Sequence, residues 1–319
     1  MSARPRLPDT VQVFERGWLS ANNVVLFDGG EATLVDSGYV SHAAQTVALV
    51  RAALDGRRLG RLINTHSHSD HIGGNASVQR AFGCTITVPT GMERAVTHWD
   101  EAALLLSTAA QAGERFQVDA TLAPGDRFIA GELEWQAIAA PGHDMDALAY
   151  YNAERRILMS GDALWRDGFG ILFADVLGTG DGLGEARRTL EGIGRLAVDL
   201  VIPGHGAPFA EFDDALERLD RIAFGAEIER DQIGLAVRQH RDRWRRTAKM
   251  AARIKLGQRS LHRTVTAVDN NDAWGHHCNG SDRFANLVDV LDLVMKDVGV
   301  RRAIFANPRQ QGTVAGRTR

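Results

Sequence analysis

His66-Ser67-His68-Ser69-Asp70-His71 packs four side chains able to ligate metal into six consecutive residues. Zinc and its first-row neighbours bind neutral imidazole nitrogen and carboxylate oxygen, and a catalytic site keeps one position open for water or substrate. Arg61-Leu62-Ile63-Asn64-Thr65, just upstream, reads as a short buried strand, so the cluster falls on a strand-to-helix loop. Such a loop can turn His66 and His68 toward one ion while Asp70 and His71 face a second. Gly73 and Gly74 permit the tight backbone that this requires.

Four ligands do not complete two metal shells, so isolated His and Asp residues are expected downstream at strand ends. Three such placements occur. Pro141-Gly142-His143 follows the strand-like run 133–139, Ser160-Gly161-Asp162 follows 157–159, and Pro203-Gly204-His205 follows 199–202. Strand-like runs also cover 11–14, 23–27, 32–35, 84–88, 127–129 and 147–151, and helical spacing covers 43–54, 77–82, 183–196 and, with an interruption, 90–112. Strands with helices between them in two successive halves predict an α/β fold, an αβ/βα sandwich.

The ordered set resembles the metallo-β-lactamase superfamily, whose motifs are an early Asp, HxHxDH, a lone His, a lone Asp and a final His. Here they match Asp36, His66 to His71, His143, Asp162 and His205. The resemblance covers roughly residues 11–210 and implies a four-layer sandwich with two divalent metal ions. Zinc is the expected metal, and iron or manganese suits the same ligands. By the resemblance, His66, His68 and His143 hold the first metal, Asp70, His71 and His205 hold the second, and Asp162 bridges them. Asp36 orients the ligand loop from behind, and Asp70 is also the candidate catalytic residue, positioning or deprotonating the attacking water.

The implied activity is a binuclear metal-dependent hydrolase in which a metal-bridging hydroxide attacks a small-molecule thioester, ester or lactone. Asp162 in the bridging position is similar to glyoxalase II, whereas β-lactamases proper generally carry another residue there. Pro141-Gly142-His143-Asp144-Met145-Asp146 departs from the PGHTxGS form of glyoxalase II and is similar to the PGHTDDH form of an endoribonuclease-like branch. Two alternatives therefore stand beside the leading reading, a metal-dependent nuclease acting on RNA and a persulfide dioxygenase with a single iron.

Composition bounds the rest. A net charge of -3 and 44% hydrophobic residues describe an ordinary folded chain with no global pull toward nucleic acid or anionic lipid. No apolar run approaches the roughly 20 residues that span a bilayer, and the first ten residues do not read as a signal peptide, so the expected location is cytoplasmic. Cys84 and Cys278 form no CxxC pair, which leaves any metal to imidazole and carboxylate. The expected partner is a small-molecule substrate, with RNA as the alternative, no membrane, and self-association left open.

The chain is expected to divide into a catalytic domain at 1–210, a mainly helical domain at 211–305 and a disordered tail at 306–319. An Arg-rich run at 238–246 reads as a solvated helix face, an anion clamp or a phosphate-binding surface. Trp165, Phe169, Leu172 and Phe173 follow Asp162 on a Gly-containing loop and are candidate pocket wall, which implies a substrate with an apolar part. Trp99 reads equally as cover for the other side of the mouth or as core. His98, His240 and His262 lack partners in sequence, and His276-His277-Cys278 sits in a turn-like context.

Overall fold

The computed structural model describes residues 6–17 and 19–219. The Arg-rich run, His240, His262, His276-His277-Cys278, the expected helical domain beyond Leu219 and the expected tail lie outside the described residues. Among the described residues no helix is long and apolar enough to cross a membrane.

The first half begins with β1 (Val11–Phe14), β2 (Asn23–Asp28) and β3 (Glu31–Val35), followed by α1 (Ala43–Leu54) and β4 (Arg58–Ile63). A single helical turn, α2 (Ser69–Ile72), leads to α3 (Asn75–Phe82), β5 (Thr85–Pro89), α4 (Glu93–His98) and β6 (Ala120–Leu122). These six strands form one sheet in chain order, antiparallel from β1 to β3 and parallel from β3 to β6. The helical spacing over 90–112 yields a 3-10 turn (Thr90–Met92) and α4, after which the chain runs in turns. Trp99 closes α4 in a left-handed conformation.

The second half holds β7 (Arg127–Ala130), β8 (Leu133–Ala139), β9 (Leu148–Asn152) and β10 (Ile157–Gly161), then α5 (Phe173–Leu177), α6 (Gly182–Ile193), β11 (Leu200–Pro203) and α7 (Phe212–Leu219). Its five strands lie in the order β11-β10-β9-β8-β7, antiparallel except for the β10–β11 pair. Both sheets are therefore mixed. Asp181 caps α6 by accepting a 2.9 Å hydrogen bond from Gly184 N.

Side-chain alternation sets the packing. Val24, Leu26, Val35 and Ile63 of the first sheet join Trp135, Tyr150, Met159 and Ile202 of the second in one buried cluster. Their neighbours Val25, Leu34 and Leu62 face the other way, onto Val50 and Leu54 of α1 and Val78 of α3. Likewise Ala149, Leu158 and Val201 face Leu190 of α6 and Phe212 and Leu219 of α7. A strand buried on both faces needs apolar residues at successive positions, which is why Val24-Val25-Leu26 and Ile157-Leu158-Met159 read as continuous runs. Each such Leu or Ile taken fully out of water contributes about 1.5–3 kcal/mol before entropy is counted.

Candidate metal centre

The polar residues of the centre all sit where strands end. Beyond β4 the chain passes through Asn64 and Thr65 to His66 and His68, and α2 then presents Asp70 and His71. His143 follows β8, Asp162 follows β10 and His205 follows β11, as the strand-end pattern predicts. Backbone hydrogen bonds tie these segments together: Leu148 N to Thr65 O at 2.8 Å joins the two sheets, Gly204 N to Gly161 O at 2.7 Å joins the ends of β10 and β11, and Ala21 N to Asp70 O at 3.0 Å holds α2 against the segment before β2.

Two ligand sets result. His66, His68 and His143 form one, and Asp70, His71, Asp162 and His205 the other, with the ligand atoms in each set within 4.8 Å of one another. Every metal-ligating residue expected from the sequence is thus brought into one of them. Asp162 touches both, its Oδ2 lying 3.4 Å from His143 Nε2 and 3.5 Å from His205 Nε2, and its Oδ1 3.4 Å from His71 Nε2. Asp70 Oδ2 is 3.0 Å from His205 Nε2.

Metal ions fit this donor set. His66 Nε2 and His71 Nε2 are buried with no hydrogen-bond partner, and leaving a polar atom in that state is costly unless something else meets its lone pair. The Asp162 oxygen 3.4 Å from His71 Nε2 does not meet hydrogen-bond geometry. Neutral imidazoles and carboxylates gathered in threes and fours are the chemistry that zinc and similar ions select.

The electrostatics of the two sets differ. Burial, reinforced by His143, pushes the His68 imidazole down to about 4, and burial with the neighbouring histidines holds His66 well below its usual range. The second set holds two carboxylates. There burial lowers the histidines, but Asp162 and Asp70 outweigh it and lift His205 to about 9, and Asp162, Asp36 and Asp70 lift His71 well above its ordinary value. Burial raises the Asp70 carboxyl, while His71 and His205 overcome it and bring it to about 2. Asp70 is therefore ionised and acceptor-only.

Behind the ligands, Asp36 accepts from Thr65 N at 2.9 Å, Thr65 Oγ1 at 2.8 Å and His71 Nδ1 at 2.8 Å. It is buried and left-handed at φ 56°, a conformation that Asp and Asn tolerate better than bulkier residues. Asn64, Asn75 and Ser37 extend the network: Ser37 Oγ donates to Asn75 Oδ1 at 2.6 Å, and Asn75 Nδ2 donates to Asn64 Oδ1 at 2.7 Å. These three carry no motif signal, because each partner is a long-range neighbour.

The stretch after Asp162 brings aromatic rings close to the ligands. The Trp165 ring lies 5.2 Å from His205 and its Nε1 donates to Asp162 Oδ1 at 3.1 Å, while Phe173 lies 5.0 Å from His68 and 5.8 Å from His143. Phe169, from the same loop, packs against the core cluster that includes α6 and α7. Trp99 belongs to the core, edge-on to Phe116 at 6.2 Å, and not to the mouth. His98 Nδ1 bonds Arg94 O within α4 at 2.9 Å and stands apart from both ligand sets.

Two mixed sheets whose strand ends converge on paired His and Asp sets define an α/β protein with a candidate binuclear metal site. Residues 16–205 match the Metallo-beta-lactamase superfamily, and the chain belongs to that family. Among curated proteins it is 33% identical over 118 residues to the hydroxyacylglutathione hydrolase of Rhodospirillum rubrum, covering 37% of this chain and 39% of that one. It is 26% identical over 223 residues to that of Ectopseudomonas mendocina, covering 67% and 73%. The match to the Rhodospirillum rubrum protein, like that to its Methylococcus capsulatus counterpart at 42%, spans about two-fifths of the relative's length.

Solved structures agree on the fold. A metallo-beta-lactamase family protein from Thermus thermophilus superposes with a TM-score of 0.56 at 18% identity, covering 70% of this chain and 80% of that one. The subclass B3 metallo-beta-lactamase of Bradyrhizobium japonicum gives 0.55 at 17% identity, covering 74% and 94%.

Proposed function

We propose that this protein is a binuclear metal-dependent hydrolase acting on a small-molecule thioester, ester or lactone in the cytoplasm. The observation that carries the reading is the placement of Asp162 against both ligand sets, 3.4 Å from His143 Nε2 on one side and 3.4 Å from His71 Nε2 on the other. The architecture proposed for it is the four-layer αβ/βα sandwich, extended by a C-terminal helical appendage that shapes specificity. Among acyl substrates a thioester is favoured, since the curated relatives are named for hydrolysis of a hydroxyacylglutathione.

His66, His68 and His143 would hold one ion and Asp70, His71 and His205 the other, with Asp162 between them; zinc is the proposed metal. When bound, such ions lower the pKa of water toward neutrality and polarise the scissile carbonyl. The protein side chains do the rest. Asp70, ionised and 3.0 Å from His205 Nε2, offers a carboxylate oxygen that orients the attacking water or accepts its proton. Asp36 holds His71 so that Nε2 faces the centre. Trp165 and Phe173 present apolar surface on which the substrate's acyl or alkyl part would lie.

The second ligand set, four residues strong, weighs against the single-iron dioxygenase reading. The deciding experiment pairs elemental analysis of the purified protein with a panel of thioester, lactone, β-lactam and short RNA. Two metal equivalents with turnover of an acyl substrate support the proposal. Cleavage of RNA alone would assign a nuclease, and one iron with oxygen consumption a dioxygenase.

A further inference from the structure

Asp144 follows His143 directly, yet its carboxylate reaches across to the other ligand segment. Its Oδ2 accepts from Ser67 Oγ at 2.6 Å and from Ser67 N at 3.2 Å, and its Oδ1 accepts from Asp146 N at 2.8 Å. Ser67 stands between His66 and His68 and is 7% exposed. One carboxylate therefore joins the midpoint of one ligand pair to the turn that carries the third ligand, across 77 residues of sequence. Backbone pairing of Leu148 N with Thr65 O fixes the neighbouring strand ends, but it stops short of the turn that bears His143.

We infer that Asp144 is a positioning residue for the His66, His68 and His143 set, setting the separation of the two loops that deliver these imidazoles. The inference rests on the metal-hydrolase reading above. Three donors meet two carboxylate oxygens here, a demand that an amide with its single acceptor oxygen does not satisfy. Without the tie, Ser67 loses the acceptor for both its hydroxyl and its amide, and the separation of the two loops rests on the imidazoles themselves, His68 Nδ1 lying 2.7 Å from His143 Nε2. Residues that orient ligands from behind are commonly worth about 10- to 100-fold in metal affinity.

The test titrates zinc into the full-length apoprotein against a chelating indicator, with thermal unfolding recorded in parallel. In Asp144→Ala one equivalent should bind about 10- to 100-fold more weakly while the other is unchanged. Ser67→Ala, which removes only the hydroxyl, should weaken the same equivalent by less, and adding it to Asp144→Ala should bring little further loss. Should Asp144→Ala not fold, Ser67→Ala carries the prediction alone. Two equivalents bound as tightly as in wild type, or both weakened alike, would overturn the inference. A wild-type protein that binds fewer than two equivalents overturns the two-metal reading and the inference with it.

Discussion

Asp36 and His71 meet at 2.8 Å, carboxylate Oδ2 to imidazole Nδ1, and both side chains are almost wholly buried. The acceptor-only carboxylate holds a proton on Nδ1 and aims Nε2 toward Asp70 and Asp162, so that the neutral ring would present its Nε2 lone pair to a metal ion there. Asp36→Ala is expected to weaken metal binding at the Asp70, His71, Asp162 and His205 set by about 10- to 100-fold. Asp36→Asn keeps the left-handed backbone and one acceptor, so it should fall between wild type and Asp36→Ala. Metal competition titrations of the three proteins check the order.

Gly170 lies against the face of His143. A Cβ there would overlap the imidazole ring, whose Nδ1 is already held at 2.7 Å by Ile171 O. Ring displacement of an ångström at a reacting centre can cost about 10²-fold in rate. Gly170→Ala should therefore lower turnover by about that factor while circular dichroism shows an unchanged fold. Wild-type kinetics in this variant would mean that the loop yields and His143 does not move.

Asp70 offers an ionised carboxylate 3.0 Å from His205 Nε2, its side chain 18% exposed where the ligands of the first set are nearly closed off. Asp70→Ala is expected to abolish turnover even when loaded with metal. Near-wild-type activity in a metal-loaded Asp70→Ala protein would remove Asp70 from the chemistry.

Much of this centre was legible because each of its ligands sits beside an apolar run. His143, Asp162 and His205 follow β8, β10 and β11, runs buried enough to be read as strands from the residues alone, and the dense His66–His71 cluster needs no tertiary information. Asp144 with Ser67, Gly170 with His143 and Trp165 with Asp162 were not legible in the same way. The first two pairs are close only after the chain has folded, and nothing in their local sequence encodes the approach. The Trp165 indole is near Asp162 in sequence, but its hydrogen bond depends on the turn closed by Trp165 N and Gly168 O. α2 spans four residues and β6 three, too few for a period to show. Trp99 reads as a mouth residue or a core residue equally well until Phe116 is found beside it.

Tyr150 is fully buried between the sheets, and its hydroxyl donates at 2.6 Å to the carbonyl of Asn64, two residues before His66. Burial drives its pKa well above that of a free phenol, so the hydroxyl stays a donor. Tyr150→Phe keeps the edge-to-face contact with Phe128 at 5.2 Å and removes only the donor. An unpaired buried carbonyl costs about 1–3 kcal/mol, and urea denaturation should show a loss in that range. A change near zero would mean that water or a backbone shift meets the Asn64 carbonyl instead.

Cys84 begins the run into β5 and is 3% exposed, packed in the cluster that also holds Val78 and Ile86. Burial, with a smaller contribution from Asp119, pushes its thiol up to about 11. Only the thiolate reacts appreciably with alkylating agents, so at pH 8 the native chain presents almost none of the reactive form at this position. Iodoacetamide treatment followed by peptide mass analysis should leave Cys84 unmodified in the folded protein and alkylate it fully in about 8 M urea, enough to unfold ordinary domains. Fast labelling of Cys84 in the native protein would show that the α3–β5 corner opens on the timescale of the reaction, and that the packing of Cys84 against its cluster is looser than its burial indicates.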